Sequence, residues 1–398
     1  MISFETAVQK VLANTQDYGS ELVSLQSSAG RILAEIIVAD RSFPPFDRAT
    51  KDGIAIKYNP NIDGKTSFKV TGIAQAGSPQ LTLEDESSCI EVMTGAVVPK
   101  NADTVIMYEH TQREGDNINI NKPIKKGQNI HYKASDTNKG EALLQAGTVI
   151  TPAEIGILAT VGKSEVLVKK LPKIVVIATG NELVGVDQRP LPHQIRKSNT
   201  YTLSALLKNE SIAANMFHLK DEPNILKSRL DELLKEYDVL LLSGGVSKGK
   251  FDFLPSTFDD LGVKKIFHKV LQRPGKPFWF GNHESHKTVI FSFPGNPVST
   301  FVNYHVHFLP WLNKTLGVKT PQFAVFLNEP IENKTDLTRF VGVVISIIGG
   351  KLIAQKIPTT GSGDLLGLAK ADGFIKLNPF ESVETDSLVS FVPTKRIV

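Results

Sequence analysis

The sequence predicts an α/β multidomain protein built round a central doubly wound, mostly parallel sheet. Between Lys173 and Leu312, compact apolar runs alternate with helical patterns. Two of those runs, Val239-Leu240-Leu241-Leu242 and Val289-Ile290-Phe291-Ser292-Phe293, end in the small-residue loops Ser243-Gly244-Gly245-Val246-Ser247 and Pro294-Gly295-Asn296-Pro297-Val298-Ser299. The flanking stretches lack that alternation; short β-rich runs there are punctuated by Gly, Pro, Asn and Asp.

Phe4, Ala7, Val8, Val11 and Leu12 have the i, i+3, i+4, i+7, i+8 spacing of an amphipathic helix over residues 3–14. Residues 22–31 read as a second short element. From Ile37 to about Gly140, runs such as Gly53-Ile54-Ala55-Ile56 and Thr104-Val105-Ile106-Met107 predict a small β domain. Thr151-Pro152 has the form of an N-cap followed by proline at the first helical position, so a helix should reach about Val161. Strands are then expected at 173–178, 212–219 and 238–243, and helices at 198–207, 221–234 and 296–312. The tail from about Pro321 is strand-like again. Domains are therefore expected at 43–140 (a β-rich N-terminal domain), 171–315 (the α/β domain) and 316–398 (a C-terminal β domain), with the helical segments 1–42 and 141–170 on either side of the first.

Composition narrows the class. A 398-residue chain with 41% hydrophobic and 22% charged residues is a globular protein of several domains. No apolar stretch is long enough to span a bilayer, and the N-terminus does not have the form of a secretory signal, so no membrane association is expected. The net charge of +4 comes without a concentrated basic stripe, which argues against a nucleic-acid partner. The single cysteine, Cys89, excludes an internal disulfide and a multi-cysteine metal site, and fits a cytoplasmic location.

The chemistry gathers at the loops. Gly244 and Gly245 lack Cβ atoms, so a phosphate-bearing ligand can approach the backbone; Ser243 and Ser247 add hydroxyls, and a following helix would add the positive end of its dipole. Pro294 and Pro297 bracket Gly295-Asn296 and stiffen the second loop. Lys269, Arg273 and Lys276 surround the Pro274-Gly275 turn as an anion clamp. Glu182, Asp221 and Asp252 each follow a strand, at the carboxyl edge where open sheets bind ligands. Beside a phosphate such carboxylates suit Mg²⁺, although Asp221 equally fits a helix N-cap.

Seven blocks in order make the chain resemble the molybdopterin molybdenumtransferase family, which includes the gephyrin E domain. They are Pro-Pro-Phe-Asp…Lys-Asp-Gly (44–53), Met-Thr-Gly-Ala (93–96), Ala-Thr-Gly-Asn-Glu-Leu (178–183), Ile-Arg-Lys-Ser-Asn (195–199), Ser-Gly-Gly-Val-Ser (243–247), Pro-Gly-Lys-Pro (274–277) and Phe-Pro-Gly-Asn-Pro-Val-Ser (293–299). The resemblance implies insertion of molybdate into adenylylated molybdopterin with release of AMP. It also implies a homodimer and a four-part protomer, in which residues 1–42 together with 141–170 form a small helical linking domain. Mg²⁺ on the three acids and a molybdopterin adenylyltransferase as partner are further expectations. By position it assigns functional acids to Asp52, Asp136, Glu182, Asp221 and Asp252 and basic contacts to Lys269, Arg273 and Lys276. Thr94, Pro294, Pro297, Arg339 and Ser362 match further contacts. The chain departs from the family pattern at Lys248 and Lys250, just beyond the first loop, and at Arg273, which replaces a lysine. Two alternatives accompany this reading: a molybdopterin adenylyltransferase, which shares the central domain, and a non-catalytic binding scaffold.

Overall fold

The computed structural model describes residues 1–62, 66–246 and 252–395. They form two compact units: Met1–Leu22, Gly30–Ala34 and Leu167–Val398 in the first, Val23–Ala29 and Glu35–Val166 in the second. Residues 1–42 and 141–170, expected as one linking domain, have parts in both units. The helix Phe4–Leu12, capped by Ser3, buries Phe4, Ala7 and Val11 in the core of the first unit.

The α/β region begins with β1 (Ile174–Thr179), α1 (Asn199–Asn209), β2 (Asn215–Leu219), α2 (Pro223–Glu236) and β3 (Val239–Ser243). It continues with α3 (Leu254–Asp260), β4 (Lys264–His268), β5 (Trp279–His283), β6 (Thr288–Phe293) and α4 (Pro297–Asn303). Sheet order is β2-β1-β3-β6-β5-β4. The first four strands are parallel, whereas β6–β5 and β5–β4 are antiparallel. Every residue of β1, β3 and β6 is buried, which is why each reads as an unbroken apolar run rather than an alternating one. Leu203 and Leu207 of α1 and Val302 of α4 pack on one face of the sheet; Leu226 and Leu230 of α2 and Leu254 and Phe258 of α3 pack on the other. The sheet is thus doubly wound and mostly parallel, and its strand order reverses between β1 and β3.

Between β4 and β5 the chain leaves this sheet. Lys269 takes a positive φ of 73°, and Val270–Arg273 then pairs in parallel with Thr338–Arg339. That partner belongs to a closed five-stranded barrel of Phe323–Leu327, Thr338–Ile348, Lys351–Lys356, Gly373–Leu377 and Leu388–Pro393, sealed by the antiparallel pairing of Thr338–Ile348 with Gly373–Leu377. Ile2–Ser3 pairs in turn with Val270–Leu271. The C-terminal β region and the α/β region accordingly share one compact unit.

In the second unit six strands form one sheet, with Ile54, Ile56, Phe68 and Ile106 packed in one cluster and Ala55, Ile90, Val92 and Val105 in another. Its helix Pro152–Thr160 starts as the sequence predicts. Thr151 accepts from Ala153 N–H, and Glu154 accepts from Thr151 N–H at 2.8 Å, a reciprocal cap. Thr151→Ala should cost this helix about 1 kcal/mol, read from the midpoint of chemical denaturation. Among the described residues no helix is long and apolar enough to cross a membrane.

Candidate functional site

Two adjoining pockets lie in the first unit. The larger, about 910 Å³, opens at the carboxyl ends of β1 and β3, where the strand order reverses. A crevice opens at that point because consecutive connections depart to opposite faces of the sheet. Its walls include Gly180 and Glu182 after β1, Asp221 after β2, Ser243, Gly244 and Gly245 after β3, and Asp252. Pro294, Gly295, Asn296 and Pro297, after β6, complete them.

The first loop is shaped for close backbone approach. Gly244 and Gly245 hold φ values of +105° and +69°, and a Cβ on Gly244 would stand 2.7 Å from the Thr179 carbonyl oxygen. Only glycine tolerates both constraints. Among the described residues the first helix after the loop is Leu254–Asp260. Ser247, Lys248 and Lys250 lie outside the described residues.

One side chain, the last residue of the block 195–199 and without an assigned role in the sequence, ties the loops together. Asn199 Nδ2 donates to Ser243 Oγ at 2.8 Å and to the Gly295 carbonyl at 2.7 Å. Thr300 Oγ1 adds a donation to the Pro294 carbonyl at 2.7 Å. His218 Nε2–H donates to the Gly180 carbonyl, and His268 Nε2–H to that of Val246. These bonds tie the loops of the rim to one another and to neighbouring elements.

Asp221 is not the helix cap: Glu222 occupies that position and α2 begins at Pro223. Burial, the neighbouring Glu182 and, more weakly, Asp252 raise the Asp221 carboxyl above the usual carboxylate range. Three acids therefore share one field. Among the described residues no three His, Cys, Asp or Glu side chains are gathered into a ready metal cage.

The smaller pocket, about 380 Å³, lies where the Pro274–Pro277 turn meets the barrel. Arg273, Lys276, Arg339 and Lys356 line it, with Ser362 and one acid, Asp364. Asp364 is engaged as a helix cap, accepting from Gly367 N–H at 2.9 Å, and the N–H groups of Gly367 and Thr360 hold its carboxyl below the usual range. Pro277, Pro294 and Asn296 line both pockets, and Asn296 Nδ2 donates to Ser362 Oγ at 2.9 Å across the boundary. Lys269 lines neither pocket; its place in the chain is the positive-φ turn between two sheets.

Asp52, Thr94 and Asp136 belong to the second unit. Asp52 Oδ1 accepts from both N–H and Oγ1 of Thr94, at 2.6 and 2.7 Å, and these bonds hold its carboxyl below the usual range. His131 Nε2–H donates to Asp136 at 2.8 Å, while His131 Nδ1 accepts from Arg48 at 2.9 Å. Arg48 has no acceptor atom, so this chain sets the histidine tautomer.

Three family models match in order: the MoeA N-terminal region (domain I and II) over residues 2–162, a probable molybdopterin binding domain over 175–314, and the MoeA C-terminal region (domain IV) over 324–393. A molybdopterin molybdenumtransferase of Synechocystis is 39% identical over 95% of both chains. The chain belongs to the molybdopterin molybdenumtransferase family. A Bacillus subtilis molybdopterin molybdenumtransferase is 31% identical, covering 94% of this chain and 90% of the relative. In fold, the molybdopterin biosynthesis moeA protein of Pyrococcus horikoshii matches with a TM-score of 0.82 at 27% identity, over 99% of this chain and all of that one.

Members of the molybdopterin molybdenumtransferase family are transferases of molybdenum cofactor biosynthesis. In this member Arg196 and Lys197 also line the larger pocket and Lys356 the smaller. Arg196 and Lys197 sit inside a block that the sequence comparison singles out, but Lys356 carries no local signal. Asn199→Ala should raise the half-saturating concentration of the molybdopterin substrate about threefold to tenfold, the value of one or two lost hydrogen bonds. Steady-state titration of the substrate at fixed molybdate checks this.

Proposed function

We propose that this chain inserts molybdate into adenylylated molybdopterin and releases AMP. The observation that carries the reading is the pair of adjoining pockets with Pro277, Pro294 and Asn296 in common. The larger has the loops and volume for a pterin nucleotide, the smaller has four cations for a dianion. In this reading the backbone of Gly244, Gly245, Gly295 and Asn296 and the hydroxyl of Ser243 hold phosphate and pterin. Arg273, Lys276, Arg339 and Ser362 hold molybdate next to them, so that ligand exchange at the dithiolene happens between neighbouring sites. Proximity of that kind turns a bimolecular step into a unimolecular one.

The acids at the rim fit Mg²⁺. They are hard oxygen donors, and their mutual repulsion, visible in the raised Asp221 carboxyl, is what a dication would relieve. Glu182, Asp221 and Asp252 would hold it, with water and substrate oxygens as the remaining ligands. When bound it would supply charge neutralisation at the phosphoanhydride oxygens. Asn199, His218 and His268 keep the surrounding loops fixed, which spares the site reorganisation as charge develops. Cleavage of the phosphoanhydride makes insertion irreversible.

Asp52, Thr94 and Asp136 enter the reading as functional residues of the second unit. The active form is a homodimer, and a molybdopterin adenylyltransferase supplies the substrate. The deciding measurement is AMP release from the adenylylated cofactor with and without molybdate. Release that requires molybdate supports the reading. ATP consumption without molybdate would indicate the adenylyltransferase instead, and binding without turnover would indicate a scaffold.

A further inference from the structure

The turn that carries Arg273 and Lys276 stands on three buried polar side chains, Gln272, Asn303 and His307. Gln272 Nε2 donates to the Pro274 carbonyl at 3.0 Å and to Asn303 Oδ1 at 3.0 Å. Asn303 Nδ2 donates to the Gly275 carbonyl at 3.3 Å. His307 Nε2 meets Gln272 Oε1 at 2.8 Å, and an amide oxygen only accepts, so the proton sits on Nε2. Burial keeps that ring neutral, pushing its pKa down to about 3, and its Nδ1 has no hydrogen-bond partner among the described residues.

Asn303 ends α4, and His307 lies four residues on in the π-helical turn Tyr304–Phe308. That spacing keeps both on the face that meets Gln272. Above them Gly275 has φ +94°, and a Cβ there would stand 2.6 Å from Asn303 Nδ2 and 2.8 Å from Gln272 Nε2. Val270 N–H closes the turn from the other side by donating to the Lys276 carbonyl at 2.9 Å. Filling this volume with apolar side chains would leave the Pro274 and Gly275 carbonyls buried without donors, a larger cost than the network itself.

We propose that Gln272, Asn303 and His307 are positioning residues for the anion clamp: they pin the two inward carbonyls, so that Arg273 and Lys276 on either side face the smaller pocket. The proposal rests on reading that pocket as the molybdate site. It makes a buried network, remote from solvent, a determinant of oxyanion affinity.

The test is titration calorimetry of the full-length protein with sodium molybdate, alongside thermal melting. Gln272→Met, matched in volume, and Asn303→Ala should each weaken binding about tenfold, the value of one or two buried hydrogen bonds. His307→Gln, which keeps a donor toward Gln272, should bind close to the parent, while His307→Leu should bind as weakly as Gln272→Met. Phe308→Leu, a buried neighbour outside the network, should lower the melting temperature and leave affinity unchanged. Once Arg273→Ala and Lys276→Ala have removed the clamp's cations, Gln272→Met should add nothing further. Network variants that bind like the parent while Arg273→Ala does not, or effects that add in full, overturn the positioning role alone. Failure of the parent to bind molybdate, or an unaffected Arg273→Ala, overturns the pocket assignment and this role with it.

Discussion

Asp221→Asn is expected to lower molybdate-dependent AMP release about a hundredfold or more, the cost typical of removing one electrostatic group from a preorganised site, yet to melt no lower than the parent. Burial, Glu182 and Asp252 raise the folded carboxyl above its unfolded value. A carboxyl shifted in that direction contributes stability at low pH and loses it as pH rises through the folded value. At neutral pH the ionised Asp221 is therefore a net cost to folding, and the isosteric amide removes that cost along with the function. AMP release should also fall on acidification at a higher pH than an ordinary carboxylate would give. Full activity in Asp221→Asn and in Glu182→Ala would remove the carboxylates from the chemistry.

The second large effect is expected at Arg339. It is the half-buried member of the four cations, the others being exposed, so its charge is the least screened by solvent. Arg339→Ala should raise the half-saturating molybdate concentration about tenfold to a hundredfold, the value of a charge-assisted hydrogen bond, with a smaller change in rate at saturation. Arg339→Lys should recover part of the loss, since it restores charge without the planar fork. Steady-state titration of molybdate at fixed substrate separates the two parameters. A pure fall in maximal rate, with unchanged half-saturation, would take Arg339 out of oxyanion binding.

How much of this was legible follows from what each residue's neighbours are in sequence. β1, β3 and β6 were readable because burial on both faces leaves no polar alternation. Placing strand ends at one edge then brought Glu182, Asp221 and Asp252 to one crevice, by topology alone. Gly244 and Gly245 were readable because their backbone angles exclude other residues. Asn199 stands in the block 195–199 but receives no role from the sequence: nothing local distinguishes an amide that bridges two loops from one that caps a helix. Lys269 is a different case. Only nearness in sequence groups it with Arg273; its backbone takes a positive φ where the chain turns toward a different sheet, and it lines neither pocket. The antiparallel β4 and β5 and the closure of the barrel were hidden for a related reason, since pairing direction and ring closure depend on registers between distant segments.

The excursion of Val270–Arg273 has a consequence for how the first unit can be taken apart. Its backbone is spoken for by Thr338–Arg339 on one side and Ile2–Ser3 on the other, while the chain before and after it is woven into the α/β sheet. A stop codon placed after the α/β region would therefore not release a clean module. It would bare a strand edge at the very segment that carries Arg273, an invitation to intermolecular pairing. The unit has no seam: the segment that joins its two halves also lines its smaller pocket.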